Sequence, residues 1–373
     1  MDMRRSLLFL VALLAVFGAG TQPTRAQQSG TVSGGAGNEI HLNVVVSGKS
    51  GSPVSGLQQQ DFTVLDNNVP QKITSFAALD GTETPIRVLV VIDAVNEEYR
   101  RIPYERNQID AFLRADQGEL RYPTSVFVLT DRGIESVADF STDGDKLSGA
   151  LDKYTVSLRF IPRSAGFYGA ADRLQISLDA LHQFAQHEAQ LPGRKIMLWV
   201  SPGWPLLSGP EVELDNREHQ QYFADIIGFS TELRRAGITL YNIDPAGMMD
   251  SIDRDTYWEN FTNGVKKPGQ AQMGNLGLQV LTVQSGGMVF SFNNDITHLL
   301  ERCVADTRAS YDISFQPAAG ERANEYHRLE IRVAKHGLKA RTWQGYYSQP
   351  AAQYQQPTVP PPAGVGVRRA EFR

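Results

Sequence analysis

The strongest hydrophobic signal inside the chain is a run of β-branched and aliphatic residues, I-R-V-L-V-V-I-D, over Ile86–Asp93. A continuous apolar run of this length, preceded by Pro85 and closed by an acidic residue, is typical of a strand covered on both faces. Such strands belong to parallel sheets with helices on either side. Ligands of these sheets bind beyond the carboxyl ends of the strands, so Asp93 marks the face where a site is expected.

Apolar runs and helical periodicities alternate through residues 81–309. Further apolar runs predict strands at 125–130, 195–201, 238–244 and 288–290, with an antiparallel edge at 133–140. Apolar residues at helical spacing predict helices over 104–115, 143–153, 171–189, 217–236, 274–284 and 294–308. This order implies right-handed crossovers and an α/β fold with a doubly wound, mostly parallel sheet.

Shorter strands with polar alternation occupy both ends of this unit. They are predicted at 40–46, 62–65 and 69–76 before it, and at 310–315, 326–334 and 338–343 after it. Neither set can stand alone, because sheets of two or three strands are marginally stable. We therefore expect residues 39–80 and 310–347 to form one small antiparallel β-sandwich, with the α/β unit inserted between them.

The N-terminus has the features of a targeting segment. Arg4 and Arg5 precede an apolar stretch at 7–17, and residues 24–26 offer small residues at the two positions that a signal peptidase reads. The apolar stretch is short for a membrane span. Residues 1–26 are therefore predicted to be a cleaved signal peptide, which implies an exported protein without a membrane span; an uncleaved anchor is the alternative.

Composition narrows the function classes. The chain has a net charge of −5, and removing the predicted signal peptide, with three arginines and one aspartate, changes it to −7. This mild acidity argues against nucleic-acid binding, which needs clustered cations. The single cysteine, Cys303, excludes an internal disulfide and stands in an apolar helical pattern that predicts a buried core residue. Residues 27–38 are predicted to be a linker, and 348–373 a Pro-rich disordered tail.

Several motifs occur in a fixed order: V-L-V-V-I-D, then G-R-K-I-M-L-W-V-S-P-G, then A-G-I-T-L-Y-N-I-D, then S-G-G. In this order they resemble the motifs of a von Willebrand factor A domain. The flanking stretches at 52–76 and 311–333 are similar to those of secreted von Willebrand factor A-related proteins of the acidobacterial type. The resemblance covers residues 40–347 and implies the α/β fold, but that family has no settled biochemical role.

Domains of this family often hold a divalent cation with an Asp-x-Ser-x-Ser loop, a Thr and a second Asp, because such cations prefer oxygen ligands. Here Asp93 matches the first position, but Val95 and Glu97 replace the serines. The loop at 164–169 has no Thr, and Pro202 stands where the second Asp is expected. We therefore predict a degenerate site with no metal and no cofactor. Asp93 is then expected to accept backbone N–H bonds at the strand end.

The loop at 202–207 reads P-G-W-P-L-L and should emerge at the carboxyl-end face. Exposed aromatic and aliphatic side chains there, with others from the next long loop, would form a contact patch for a partner. The candidate residues are Trp204, Leu206, Leu207, Tyr257, Trp258 and Phe261. The alternative is that Trp204 folds back and covers the sheet edge.

Other polar clusters carry weaker signals. Asp250, Asp253, Asp255 and Glu259 lie in an acidic loop that lacks the glycine at the sixth position and the bidentate glutamate at the twelfth position of a calcium loop. His182 and His187 are five residues apart and are expected at the surface. Sequence motifs of hydrolases, P-loop proteins and dinucleotide-binding proteins do not occur.

The sequence thus favours a non-catalytic, secreted or periplasmic module for protein–protein interaction or adhesion. It would bind a protein or cell-surface partner without a metal. Two alternatives remain at this point: a structural envelope component that acts through its sandwich and tail, and a hydrolase with an unrecognised site at the carboxyl-end crevice.

Overall fold

A computed structural model describes most of the chain. The described residues are 39–80, 85–98, 100–154, 166–207, 214–246, 256–291, 293–317 and 322–349, with the side chains of 166–168 left out. The predicted signal peptide and linker lie outside these residues, and so does the predicted tail beyond Gln349.

The described strands and helices follow the predicted alternation. The strands are β1 (Ile40–Ser47), β2 (Phe62–Asp66), β3 (Val69–Gln71), β4 (Ile73–Leu79), β5 (Ile86–Asp93), β6 (Glu119–Thr130), β7 (Gly133–Ser136), β8 (Ser141–Asp143), β9 (Arg194–Val200), β10 (Ile238–Ile243), β11 (Val289–Phe290), β12 (Ser310–Phe315), β13 (Tyr326–Val333), β14 (Lys339–Arg341) and β15 (Gly345–Tyr347). The α-helices are α1 (Ile102–Leu113), α2 (Gly144–Tyr154), α3 (Gly166–Glu188), α4 (Asn216–Ala236), α5 (Leu278–Gln284) and α6 (Ile296–Ala305). Short 3₁₀ turns occur at Gln59–Asp61, Ala115–Gly118, Tyr257–Phe261, Pro268–Gln270 and Met273–Leu276.

The central sheet is mostly parallel, as the apolar runs predict. Its order is β11-β10-β9-β5-β6-β7, with β8 also paired to β6. The pairs β11–β10, β10–β9, β9–β5 and β5–β6 are parallel, whereas β7 and β8 run antiparallel to β6. Strand β5 is central, and every residue in it except Arg87 is buried. Its carboxyl end, at Asp93, therefore lies in the middle of the face where a ligand is expected.

Local sequence signals set the ends of α4. The side chain of Asp215 accepts hydrogen bonds from the backbone N–H groups of Arg217 and Glu218 at the first turn, both at 2.8 Å. Gly237 ends the helix in the left-handed conformation, with φ of 64°, which glycine adopts without a steric cost. Strand β10 begins directly after this glycine, so the chain re-enters the central sheet immediately after the helix ends.

Two antiparallel sheets combine strands from both ends of the chain. Their orders are β14-β1-β12-β4 and β15-β13-β2-β3. Rings from the two sheets touch: the Phe62 ring centroid lies 5.6 Å from that of Phe76 and 4.9 Å from that of Tyr311. Neither terminal segment closes a sheet alone, in line with the strand count expected from the sequence.

Two predicted elements are wrong in detail. The single strand predicted at 69–76 is two strands, β3 and β4, which separate at Lys72 and enter different sheets. The helix predicted at 274–284 begins only at Leu278, because Gly277 is extended at φ −64° and ψ 145°. In the part of the chain that the structure describes, no helix combines the length and hydrophobicity needed to cross a bilayer.

Candidate functional site

Asp93, the last residue of β5, lies at the carboxyl end of the central sheet and has no exposed surface. Its Oδ1 atom accepts the backbone N–H groups of Val95, at 3.2 Å, and Asn96, at 2.9 Å. Its Oδ2 atom accepts the Trp199 indole N–H at 3.1 Å and the Ser201 hydroxyl at 2.9 Å. The Asn96 side-chain amide lies within hydrogen-bond distance of both oxygens, at 3.1 and 2.9 Å.

This environment explains how a carboxylate can be buried here. Burial raises the pKa of Asp93, and the hydrogen bonds from Asn96, Trp199 and Ser201 oppose that rise. Two carboxylate oxygens offer about four acceptor positions, and protein donors take them all. Asp93 thus accepts backbone N–H groups at the strand end together with side-chain donors from Asn96, Trp199 and Ser201.

Two of the other adhesion-site positions, Val95 and Pro202, have no side-chain oxygen, whereas Glu97 has a buried carboxyl group. Val95 is a hydrocarbon side chain with 2% exposure. The Pro202 carbonyl accepts the Gln279 amide at 3.1 Å, and Pro202 has no side-chain oxygen. Positions 164 and 165 of the predicted Thr loop lie outside the described residues, and its last residue, Gly169, falls within α3. These residues do not fit the oxygen cage that a divalent cation needs. Among the described residues no cluster of His, Cys, Asp or Glu has a geometry suited to a metal.

A pair of buried carboxyl groups lies beside Asp93. Glu97 is 1% exposed, and Glu105, in the first turns of α1, is fully buried. Burial raises the pKa of Glu105 well above its ordinary value, and the nearby charges of Glu97 and Asp93 add to the rise. Burial also raises the pKa of Glu97, while the backbone N–H of Glu98 and the charge of Arg101 oppose the rise. We infer that Glu105 is protonated, because two adjacent buried carboxylates repel each other.

Sequence reasoning missed Glu105, although a signal was present. The buried residues of α1 are Ile102, Glu105, Ile109, Phe112 and Leu113. Glu105 stands three residues after Ile102 and four before Ile109, which is the spacing of the apolar face. A glutamate on that face is buried by the same packing that buries its neighbours.

The predicted contact patch is largely buried. Trp204 is 3% exposed and packs edge-to-face on Trp199, with ring centroids 5.3 Å apart. The expectation of an exposed Trp204 is therefore wrong, and the alternative, in which this ring folds back onto the sheet, describes its position. Leu207 and Phe261 are also buried, at 9% and 8% exposure. Their burial agrees with the free energy that aromatic and aliphatic groups gain when they leave water.

The remaining candidates lie closer to solvent. Leu206 is half-buried and packs on Gly277, where an added Cβ would lie 2.6 Å from the leucine Cδ2. Tyr257 has 39% exposure and Trp258 is half-buried, both on a 3₁₀ turn. The carboxyl-end loops thus bring Tyr257 and Trp258 to the surface over a packed aromatic base.

The histidines and the cysteine have structural surroundings. His182 on α3 hydrogen-bonds to Glu232 on α4 at 2.7 Å, and this bond raises the histidine pKa. The side chain of His187 is 41% exposed. Cys303 is fully buried, as its apolar context predicts, and burial raises the pKa of its thiol. The acidic loop with Asp250, Asp253 and Asp255 lies outside the described residues.

No protein-family model and no curated protein matches the chain. Solved structures similar to it include the manganese-loaded TRAP protein of Plasmodium vivax, with 8% identity, a TM-score of 0.34 and coverage of 73% of this chain and 97% of that one. The open conformation of the pilus adhesin SpaC from Lactobacillus rhamnosus GG has 8% identity and a TM-score of 0.36, over 79% and 48% of the two chains. The human COPII-coat protein Sec24c has 10% identity and a TM-score of 0.32, over 71% of this chain.

The chain spans 44% of the Sec24c chain. At these TM-scores the likeness neither identifies a family nor assigns a function.

Proposed function

We propose that this chain is a non-catalytic, exported interaction or adhesion module of the von Willebrand factor A type. It binds a protein or cell-surface partner at the carboxyl-end face of the central sheet without a metal. The observation that carries this proposal is the environment of Asp93. Protein donors from Val95, Asn96, Trp199 and Ser201 take the lone pairs that a cation would need. Recognition at this face then depends on side chains.

The 3₁₀ turn Tyr257–Phe261 supplies the contact residues in this proposal. The rings of Tyr257 and Phe261 meet edge-to-face with centroids 5.5 Å apart. The Asn275 side-chain amide donates to the Phe261 carbonyl at 3.1 Å and anchors the turn to its neighbour. A rigid turn that presents a tyrosine and a tryptophan suits a protein interface, where these residues are enriched.

The buried acids support the non-catalytic interpretation over hydrolysis. Glu97 and Glu105 are a carboxyl pair with a raised pKa, a property that general acids share. Their exposure of 1% and 0% keeps substrate away from both. Such a pair serves the packing of α1 against the sheet.

Two finer features of the proposal rest on other observations. Export rests on the N-terminal pattern of charge and hydrophobicity described above. A single β-sandwich built from both terminal segments is supported by the contacts of Phe62 with Phe76 and Tyr311 across the two antiparallel sheets.

Affinity capture from the native cell envelope tests this function. We expect the full chain to retain its partner in the presence of a chelator, and a Tyr257→Ala, Trp258→Ala double variant to lose capture about tenfold or more, as hot-spot aromatics do. Val69→Ala is the control, because Val69 is an apolar residue with 58% exposure on a different sheet. Loss of capture with chelator, or equal capture by the double variant, would contradict the proposal.

A metal titration gives a second, independent test. Calorimetry of the full chain with magnesium, manganese or calcium is expected to give no saturable heat, because Asp93 has no acceptor to offer. A saturable signal that disappears in Asp93→Asn would overturn the metal-independent mechanism while leaving the contact residues untested by that result alone.

A further inference from the structure

A polar groove lies between residues 262–266 and strand β13. Two cavities of about 620 and 670 Å³ adjoin there and share Lys266, Tyr326 and Arg328 in their walls. Asn68 and Arg322 line the first cavity. This feature, named here the β13 groove, is large enough for a ligand of several sugar or amino-acid units, since drug-sized ligands occupy a few hundred Å³.

Three cations, Lys266, Arg322 and Arg328, line the first cavity of the β13 groove in a chain whose net charge is −5. Within the described residues, Lys266, Arg322 and Arg328 form no ion pair shorter than 4.0 Å. By contrast, Arg332 on the same strand pairs with Glu330 at 2.7 Å. Unpaired cations around one cavity create a positive local potential that attracts an anion.

The backbone that carries Arg328 is held on both sides by Asn67. The Arg328 N–H donates to the Asn67 side-chain oxygen at 3.0 Å, and the Asn67 N–H donates to the Arg328 carbonyl at 2.9 Å. Asn67 and Asn68 both have positive φ, at 48° and 67°, a conformation that asparagine tolerates better than most residues. The β2–β3 turn therefore fixes the base of the Arg328 side chain.

The other two cations are positioned in a similar way. Ser348 holds the Arg322 segment: its hydroxyl donates to the Arg322 carbonyl, and its backbone N–H donates to the Glu325 carbonyl at 2.9 Å. Lys266 follows Val265, whose carbonyl accepts the Tyr347 hydroxyl at 3.0 Å. All three cations thus rise from anchored backbone, which lowers the entropy cost of binding a ligand.

Tyr326 and Gly264 shape the groove between the cations. A Cβ added at Gly264 would lie 1.9 Å from the Tyr326 ring, so the backbone packs directly on that ring. The Tyr326 hydroxyl donates to the Gln344 carbonyl at 3.3 Å. Burial raises the pKa of this phenol to about 12, which keeps it neutral. The groove therefore keeps its positive charge at neutral pH.

Neutral hydrogen-bonding side chains line the groove beside the cations. They are Thr262, Asn263, Thr342 and Gln344, together with Asn68. Amides and hydroxyls bind hydroxyl groups, while arginine binds carboxylate or sulfate with paired N–H groups. We propose that the β13 groove binds an acidic oligosaccharide, such as a chain of uronic acid units. This site is separate from the aromatic turn of the proposed function and does not depend on it.

An acidic sugar fits this lining better than an acidic peptide. Peptide recognition uses apolar pockets for alternate side chains or main-chain pairing along a free strand edge. The first cavity, which contains the three unpaired cations, is instead lined by asparagines, Glu325 and Tyr326, whereas apolar residues such as Leu329, Ile331 and Trp343 line only the second cavity. Glu325 contributes to specificity. Its carboxylate repels a ligand with closely spaced negative charges, and it accepts hydrogen bonds from hydroxyl groups that lie between the charges of an acidic sugar.

Calorimetry with trigalacturonate as the probe tests the proposal on the full chain. We expect saturable binding that weakens as salt is added, because the attraction is largely electrostatic. Arg328→Gln and Lys266→Gln should each weaken it about tenfold or more, the loss expected for one charge-assisted contact. Arg132→Gln is the matched control: it also removes one positive charge, at a side chain with 76% exposure on the turn after β6.

The comparison ligands distinguish binding of an acidic sugar from binding of a neutral sugar, an acidic peptide or a simple anion. Methyl-esterified trigalacturonate should bind about tenfold or more weakly, since it keeps the sugar hydroxyls but loses the carboxylates. Hexaglutamate and inorganic phosphate should bind more weakly than trigalacturonate. Absence of trigalacturonate binding, equal binding of hexaglutamate, or an equal loss in Arg132→Gln would overturn the proposal. Circular dichroism of the variants separates loss of the site from loss of the fold.

Discussion

Asp93 and Glu105 are both buried carboxyl groups, but the protein accommodates them in different ways. Asp93 is surrounded by N–H and O–H donors that replace the water it loses on folding. Glu105 faces Glu97 and Asp93, so its stable form at the ordinary carboxyl pKa is the protonated one. The first residue serves as an acceptor hub, and the second is kept neutral by its neighbours.

Removing the Asp93 carboxylate should lower the free energy of unfolding by a measurable amount. Asp93→Ala leaves the Trp199 indole and the Ser201 hydroxyl without their acceptor, and each buried donor left unpaired costs about 1–3 kcal/mol. We expect the free energy of unfolding to fall by roughly 3 kcal/mol or more, measured by urea denaturation. Ser201→Ala removes one donor to Asp93 and the acceptor of the Gly203 N–H, and should cost about 1–2 kcal/mol. If Asp93→Ala is no less stable than Ser201→Ala, Asp93 is not the shared acceptor that stabilises this end of the sheet.

At the residue level the sequence was most informative where position alone dictates the role. Asp93 could be placed because it ends the central apolar run. The position of Trp204 could not be predicted, because a side chain in a proline-bounded loop can point either into solvent or back onto the sheet. In the folded chain Trp204 packs on the Trp199 ring. Glu105 was readable from its spacing but was overlooked, because polar residues in a first helical turn usually face water.

Helix α1 is the element that joins the acids to the sheet. Its face contains Ile102, Ile109 and Phe112, and Glu105 lies among them. The register that buries the apolar residues also buries the acid. The helix therefore docks best when that acid is uncharged, and its packing becomes sensitive to proton concentration.

The sign of this pH dependence follows from the raised pKa of Glu105 and Glu97. The native state holds protons that the unfolded chain releases near pH 4.5, the ordinary glutamate value. The contribution of these two acids to stability is therefore greatest below that pH and falls as the pH rises toward their native pKa. Glu105→Gln, which mimics the protonated acid, should flatten this fall and raise the Tm at neutral pH.

Thermal unfolding followed over a pH series measures that effect. Glu301→Gln serves as the control, because the Glu301 side chain is 49% exposed on α6. If Glu105→Gln lowers the Tm at neutral pH, or leaves the slope unchanged, the buried acid is not protonated in the native state.

The boundaries of the strands and helices show which structural features can be predicted from the sequence and which cannot. The parallel strands of the central sheet were predicted because few polar positions interrupt their apolar runs, whereas the short antiparallel strand β8 was not predicted. The split between β3 and β4 was not predicted, because a run such as 69–76 does not show that its two halves pair with different partners. The delayed start of α5 depends on Gly277, whose extended backbone gives Leu206 room against it.

At the scale of the whole molecule, Arg341 connects the terminal strands to the central sheet. Its guanidinium on β14 binds Asp306 and donates to the Gly286 carbonyl at 2.6 Å. Asp306 also accepts the hydroxyl of Tyr241, from β10, at 2.7 Å. Asp306 is 3% exposed, so removal of Arg341 would leave a buried carboxylate without its counter-ion.

Arg341→Met tests this connection. Breaking a buried ion pair by removing one partner costs about 3–5 kcal/mol, so the urea midpoint should fall strongly. Arg332→Met removes an arginine from a solvent-exposed pair in the neighbouring sheet, where the side chains are 62% and 36% exposed, and should leave the urea midpoint nearly unchanged because solvent screens such pairs. Equal effects of the two variants would show that the Arg341 network does not stabilise the fold.

The pairing of the two chain ends has a consequence for how the protein is made. Val44 of β1 lies opposite Tyr311 of β12, and Val64 of β2 lies opposite Ile331 of β13. During synthesis, the edges of β1 and β2 stay unpaired until more than two hundred further residues have left the ribosome. The intervening α/β unit can fold before their partner strands are made. Contacts so distant in sequence form slowly, and unpaired edges invite association between chains. Slow maturation and a need for chaperone protection are therefore built into the order in which this chain is translated.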